Sequence, residues 1–258
     1  VYLNRSDVML GPEEKRRISL ERADTLKSRI IDYLQIKDTI KTGIDIDDIV
    51  RERKEKIMSV LGANDEQWND WRWQLKNRIT SADMLGKIID LTDEERREIE
   101  QVEKVYAWAV SPYYCTLMQT DMKGPVRRMA IPSGEELNDE NGKLDPMGEQ
   151  LTNPAGTITR RYPDRLIVYL TSECGAYCRF CQRRRNIGTR YGMNSREVIQ
   201  ESIDYIRENT EIRDVLLTGG DPLTLKDEVL EWILKSLREI PHVEIIRIGT
   251  RVPVYLPM

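Results

Sequence analysis

Apolar residues recur at three- and four-residue steps through the first part of the chain. Ala23, Leu26, Ile30 and Leu34 repeat in this way with Glu, Lys and Arg between them. That spacing predicts an amphipathic helix with one buried stripe. A second pattern of the same kind covers about 47–61 and stops at Gly62, a residue suited to a left-handed C-terminal cap. Trp68 and Trp71 share a face at helical spacing and, with Trp73, are expected to anchor packing. Thr92 followed by Glu95 has the form of a capping box. It predicts a helix running to about Ala109, ahead of Pro112.

The rhythm breaks over 111–163. Pro112, Pro125, Pro132, Pro146, Pro154 and Pro163, with the turn-forming Asn141-Gly142, exclude a long periodic element there. Beyond it, short apolar, β-branched runs at 166–171, 214–218 and 244–250 alternate with amphipathic patterns at 196–209 and 227–239. Strand–helix–strand–helix–strand order predicts an α/β fold with parallel crossovers, a barrel or an open sheet. Both place chemistry at the carboxyl ends of their strands. Three segments are expected: a helical N-terminal region (1–110), an irregular connection (111–163) and a first set of β/α units (164–258).

Composition narrows the partners. Lys and Arg total 40 against 44 Asp and Glu, the signs are interleaved, and the net charge is −4. Such a chain has no general attraction for nucleic acid or anionic lipid. No apolar run approaches the roughly 18 residues that span a bilayer. Val1-Tyr2-Leu3-Asn4-Arg5 lacks the basic-then-apolar pattern of a leader, so a cytoplasmic location is expected.

Of the four cysteines, Cys174, Cys178 and Cys181 fall close together and Cys115 stands apart. Disulfides at that spacing would be cramped, and a reducing compartment disfavours them. Metal or cluster ligation is the better reading. The triplet comes directly after the first predicted strand, and Gly175 lets the loop turn sharply. Three thiolates at steps of four and three can ligate three irons of a cubane. Such clusters normally take four cysteines, so one iron keeps an open position at which a ligand binds. The alternative is a structural zinc site completed by Cys115 or His242, and the chain offers no second C-x₂-C pair for it. His242 reads as a turn residue and Cys115 as a packed thiol.

Two further features carry weaker signals. Thr218-Gly219-Gly220-Asp221-Pro222 comes after the second predicted strand, and a Gly-Gly turn alone is commonplace. Arg160, Arg161 and Arg165 precede the first strand, while Arg183, Arg184 and Arg185 come after the cysteine loop. Guanidinium groups take phosphate or carboxylate through paired, charge-assisted bonds about twice as strong as neutral ones. Arg160 and one of the second set are expected to be solvated surface side chains.

The C-x₃-C-x₂-C spacing, with an aromatic residue before the last cysteine, resembles the signature of the radical S-adenosylmethionine superfamily. The resemblance extends further through Trp68-Asn69-Asp70-Trp71-Arg72-Trp73-Gln74-Leu75, the 159–165 stretch, Gln182-Arg183-Arg184-Arg185, 212–221 and 239–244, all in order. Over nearly its whole length the chain is similar to the lysine 2,3-aminomutase family. It is more similar to the branch acting on glutamate than to the lysine-acting branch at 17–61, at 145–149 with 153–156, and at 181–188.

The resemblance implies a partial (β/α) barrel preceded by helices. It implies a [4Fe–4S] cluster on Cys174, Cys178 and Cys181, with S-adenosylmethionine contacted by Phe180, Gly219, Gly220 and Asp221. It also implies pyridoxal 5′-phosphate held by Arg161, Tyr162 and Arg165, and Arg183 pairing with the substrate α-carboxylate. The implied activity is that of an isomerase moving the α-amino group of L-glutamate to Cβ, giving 3-aminoglutarate, with L-lysine as the alternative substrate. No catalytic residue is implied in this stretch beyond the cluster ligands. An external electron donor and a homo-oligomer are implied as well, without nucleic-acid or membrane partners. Phe180 stands where close relatives carry His, and Pro222 where they carry a small residue. The family's chains continue well past the position of Met258, so this chain reads as an N-terminal part, expected to be poorly stable and inactive by itself.

Overall fold

The computed structural model describes residues 10–118, 124–138, 142–188 and 194–258. Val1 to Arg5 and Asn141, singled out in the sequence, lie outside the described residues. The chain divides into two compact units, 1–49 and 50–258.

In the first unit, α1 (Pro12–Ser28) and α2 (Ile31–Ile36) bury no residue. The single helix expected through Ala23 and Leu34 is two, interrupted after Ser28. Thr25 and Ser28 donate their hydroxyls to Glu21 and Thr25 carbonyls just before the break. Such side chains compete with the helical ladder. The stripe of Leu26, Ile30 and Leu34 is exposed rather than buried.

The helix α3 (Asp47–Leu61) closes where the sequence predicts, at Gly62 with φ +65°. Short helices come next: α4 (Asp65–Trp68), α5 (Trp71–Lys76), α6 (Ala82–Ile88), α7 (Asp93–Val102), α8 (Pro112–Thr116) and α9 (Pro125–Arg128). Trp68 and Trp71 do not share a helix. Asp70 Oδ1 accepts from the Arg72 N–H and opens α5 as a new element. Both tryptophans still enter one core, with Ile57, Ile79, Leu85, Ile99 and Trp108. Each apolar side chain fully buried in such a core is stabilised by roughly 1.5–3 kcal/mol relative to exposure. Gln74, fully buried, donates to the Trp68 carbonyl at 2.9 Å and accepts from the Tyr113 N–H at 2.8 Å. One amide thus ties α4, α5 and α8 together.

The capping box of α7 forms as predicted from Thr92 and Glu95, but the helix ends at Val102 instead of about Ala109. Competing backbone pairs explain the early stop. Val110 bridges Ile79 in an antiparallel pair, and the Ala109 carbonyl accepts from the Tyr177 N–H at 2.8 Å. Backbone groups committed to extended pairing are lost to a helix.

The second half contains one four-stranded sheet of order β1 (Ile158–Thr159), β2 (Arg165–Thr171), β3 (Asp214–Gly219) and β4 (Ile245–Ile248). β2, β3 and β4 are parallel, joined by α10 (Arg196–Glu208) and α11 (Asp227–Arg238). This is the α/β start of a barrel that the sequence predicts. β1 was not foreseen: two residues between turns, paired antiparallel to β2, show no periodicity. One sheet face presents Leu166, Val168, Leu170, Val215 and Leu217 to Ile199, Ile203, Ile206 and Leu237 of the crossover helices. Strand alternation puts Arg165, Ile167, Tyr169, Leu216 and Thr218 on the other face. A final turn, α12 (Val252–Tyr255), comes after β4. Among the described residues no helix is long and apolar enough to cross a membrane.

Candidate functional site

A cavity of about 210 Å³ opens at the carboxyl ends of β2, β3 and β4. Cys174, Cys178 and Cys181 all line it, facing Gly219, Gly220 and Arg251. Backbone pairing builds the loop. The Gly220 N–H donates to the Thr171 carbonyl at 2.5 Å, and the Asp221 N–H donates to the Glu173 carbonyl at 2.7 Å. From the helical side, Ala109 and Met129 carbonyls accept from the Tyr177 and Arg179 N–H groups at 2.8 and 2.9 Å. Gly175 leaves room for a ring: a Cβ there would lie 2.5 Å from Tyr255.

Charged side chains brace the same loop. Arg78 donates to the Cys174 carbonyl, lies 3.4 Å from Glu173 and stands over the Tyr177 ring. Glu136 accepts from Arg179 at 2.8 and 2.6 Å and also from Arg184. Burial alone raises the Glu136 pKa, but hydrogen bonds and charge from Arg179 and Arg184 outweigh it and hold the carboxyl below its usual value. With the folded pKa depressed, this stabilisation is present above the ordinary carboxylate range and is lost as pH falls through the lowered value. Glu136→Gln should therefore cost about 1–3 kcal/mol at pH 7. It should also flatten the stability curve below about pH 4. Urea unfolding at stepped pH measures both, and an acid limb identical to wild type would remove Glu136 from this role.

Each arginine of the run after the loop has a carboxylate partner, while its buried Nε has no hydrogen bond among the described residues. Arg183 pairs with Glu149 at 2.9 Å and lies over the Tyr169 ring, whose hydroxyl donates to Glu149 at 3.0 Å. Arg185 meets Asp145 at 3.1 Å and Glu149 at 3.5 Å. None of the three is a solvated surface side chain. Nor is Arg160, which pairs with Glu211 at 2.6 Å and bonds the Tyr205 hydroxyl at 2.8 Å. A helix face and a turn brought together by the fold supply partners that linear sequence does not display.

The remaining predicted residues fall in three places. Gly219 and Gly220 are in the cavity wall, whereas Phe180 is 62% exposed and does not line the cavity, its ring lying 5.6 Å from the guanidinium of Arg251. Asp221 is 2% exposed, and its carboxylate accepts from Leu223 and Arg251 N–H groups, the Thr250 hydroxyl and the Tyr255 hydroxyl. Four internal donors make it a bracket, and it also lines the cavity beside Gly219 and Gly220. Arg161, Tyr162 and Arg165 lie at the amino end of β2, about 20 Å of strand from the cysteine loop. Arg165 stacks on the Tyr162 ring at 4.5 Å and shares its sheet face with Tyr169. The cysteines and these arginines thus lie at or beyond opposite ends of β2.

Arg78, Glu136, Thr250, Arg251 and Tyr255 carry no motif that sequence could reveal. The one available signal was position: Thr250 ends the third predicted strand and Arg251 comes directly after it, where this fold class concentrates chemistry.

The thiols are electrostatically costly to ionise together. Burial first, then the Asp221 carboxylate and the neighbouring thiols, push Cys174 well above its usual range, with Arg78 pulling the other way. Cys181 is raised too, again chiefly by burial. Metal ions supply the positive charge three adjacent thiolates need and displace their protons. The two residues the sequence offers to complete a zinc site are committed elsewhere: Cys115 is packed in the helical core, and His242 Nε2 pairs with the Ile206 carbonyl at 2.9 Å. Among the described residues no group of three or more histidine, cysteine, aspartate or glutamate side chains meets the geometry of a metal site as it stands, the three cysteines included.

Residues 168–257 match the family described as the Radical SAM superfamily. The chain is 56% identical over 245 residues to the glutamate 2,3-aminomutase of Clostridioides difficile, covering 95% of this chain and 58% of that protein. It is 48% identical over 197 residues to the L-lysine 2,3-aminomutase of Clostridium subterminale, covering 76% of this chain and 47% of that one. Against the L-lysine 2,3-aminomutase of Bacillus subtilis the identity is 44% over 196 residues, 75% of this chain and 41% of the relative. The chain spans about half the length of these curated relatives.

Proposed function

This chain belongs to the lysine 2,3-aminomutase family of the radical S-adenosylmethionine superfamily, and from that premise we propose that it forms the cluster-binding part of an enzyme moving the α-amino group of L-glutamate to Cβ. The observation that carries the reading is the convergence of Cys174, Cys178 and Cys181 on one cavity at the carboxyl ends of three parallel strands. Those three thiols would hold a [4Fe–4S] cluster, leaving one iron open for S-adenosylmethionine. A cluster held there would supply the one-electron reduction of the sulfonium that yields methionine and a carbon radical able to remove hydrogen from Cβ.

The chain's own residues prepare the site. Gly219 and Gly220 let the end of β2 and the start of the cysteine loop pack directly against the cavity wall, and Phe180 offers an exposed ring beside the Arg251 guanidinium. Arg161, Tyr162 and Arg165 are chemically suited to a phosphate, and Arg165 faces the same side of the sheet as Tyr169. These residues would hold pyridoxal 5′-phosphate. Arg183, already oriented by Glu149 and the Tyr169 ring, would pair with the substrate α-carboxylate. The buried helical layer behind the loop keeps water from one side of the cavity, as radical chemistry requires. Free thiols and a low-potential cluster suit a reducing compartment such as the cytoplasm, with an external one-electron donor and a homo-oligomeric whole protein.

The full-length enzyme, purified without oxygen, should carry iron and sulfide in equal amounts. With S-adenosylmethionine, pyridoxal phosphate and a reductant it should convert ¹³C-labelled L-glutamate to 3-aminoglutarate, followed by NMR. Conversion of lysine but not glutamate would transfer the reading to the lysine-acting branch; absence of iron and sulfide would end it.

A further inference from the structure

The segment after β4 forms a third wall of the cavity, and the proposed function assigns nothing to it. Arg251 is its cationic member. Its Nη1 donates to Cys178 Sγ, and its guanidinium lies 5.6 Å from the centre of the Phe180 ring. The side chain reaches this position from a backbone fixed from below. Asp221 Oδ2 accepts from the Arg251 N–H at 2.7 Å, and Oδ1 accepts from the Thr250 hydroxyl at 2.6 Å. The Tyr255 hydroxyl bonds the same carboxylate, and the Tyr255 carbonyl accepts from the buried Ser111 hydroxyl at 2.6 Å. Asp221, itself buried, therefore ties the 250–255 turn to the end of β3.

We propose that Arg251 is a positioning and charge-setting residue for the cluster, its guanidinium bonded to the Cys178 sulfur and stabilising the reduced state over the oxidised one. This inference rests on the cluster reading of the three cysteines. The charge balance is simple. A [4Fe–4S]²⁺ core with three thiolates carries −1, and one added electron makes it −2. A permanent cation beside a ligand sulfur interacts more favourably with the −2 state, so it raises the reduction potential. Hydrogen bonds to cluster sulfurs and local net charge are the levers by which proteins set such potentials. Neither Asp221 nor the backbone bracket depends on the Arg251 side chain, so the charge can be removed while the turn stays in place.

The test uses the full-length enzyme, reconstituted without oxygen and titrated with dithionite in the absence of S-adenosylmethionine, with the cluster followed by electron paramagnetic resonance. Arg251→Met should keep wild-type iron and sulfide content, but its midpoint potential should move negative by at least about 59 mV, a tenfold shift in the reduced-to-oxidised ratio for one electron. Arg251→Lys, which keeps the charge and loses the fork, should lie closer to wild type than Arg251→Met. A fully loaded Arg251→Met enzyme at the wild-type potential overturns the inference alone. Equal loss of cluster from both variants overturns it too, because it assigns Arg251 a purely architectural part. A wild-type enzyme that takes up no cluster overturns this inference together with the reading beneath it.

Discussion

Alanine in place of Cys174, Cys178 or Cys181 is expected to strip iron and sulfide from the full-length enzyme and abolish radical turnover, while Cys115→Ala leaves both intact. Each of the three thiols lines the same cavity, and a cluster already one ligand short of four has no spare thiolate to recruit. Changes one shell away from a metal reduce affinity about 10–100-fold, so loss of a direct ligand should exceed that. Cys115 is different in kind. It is fully buried in the helical core, and burial pushes its thiol up to about 12. A thiol held protonated is a poor metal ligand. Its removal should cost only the packing of one sulfur, about 1–2 kcal/mol. Iron and sulfide assays on the four variants, beside thermal melts, separate the two behaviours. A single-cysteine variant among the three that retained a complete cluster would break the assignment, as would loss of the cluster from Cys115→Ala.

The contrast also shows which parts of the site were legible in sequence. Cys174, Cys178 and Cys181 stood out because a short-range spacing encodes their convergence: all three leave one strand end on one loop. The crossover helices were legible for a related reason. Ile199, Ile203 and Ile206 repeat with the helical period, and the fold buries that stripe on β2 and β3. The α7 capping box was equally local, since Thr92 and Glu95 satisfy each other's backbone.

What escaped is non-local. Glu136 meets Arg179 across 43 positions, and Arg78 meets the Cys174 carbonyl across 96. No periodicity couples such positions, so each reads as an isolated surface charge until the fold joins them. The same cause shortened α7: its last predicted turns were claimed by pairing with Ile79 and with Tyr177. The α1–α2 stripe failed in the opposite sense, because a helical pattern states which face could be buried without stating that anything covers it. Asp221 is the instructive intermediate. Its place after Gly219-Gly220 was legible, whereas its use as an internal bracket depends on Thr250, Arg251 and Tyr255 returning from beyond β4.

That bracket makes a second large effect predictable, at Gly219. Its φ is +135°, a region L-residues rarely adopt, and a Cβ there would stand 2.5 Å from the Thr171 carbonyl oxygen and 3.1 Å from the Leu170 and Thr171 nitrogens. All three obstacles are backbone atoms of β2, so no side-chain rotation relieves the clash. Either β3 moves away from β2, or the peptide at 219–220 rotates and loses the Gly220 N–H bond to Thr171. Both displace Asp221 and, through it, the turn carrying Arg251. Gly219→Ala should therefore destabilise the protein by about 3–5 kcal/mol and reduce cluster content in what remains folded. Gly62→Ala is the matched control. It too has a positive φ, +65°, but a Cβ there meets nothing within 4 Å, so only the left-handed penalty of about 1–2 kcal/mol applies. Urea unfolding of the two variants isolates the contribution of close backbone approach from that of backbone sign. Equal destabilisation would mean that β2 and β3 yield freely at the cavity, and that the wall holding the cysteine loop is softer than its hydrogen bonds suggest.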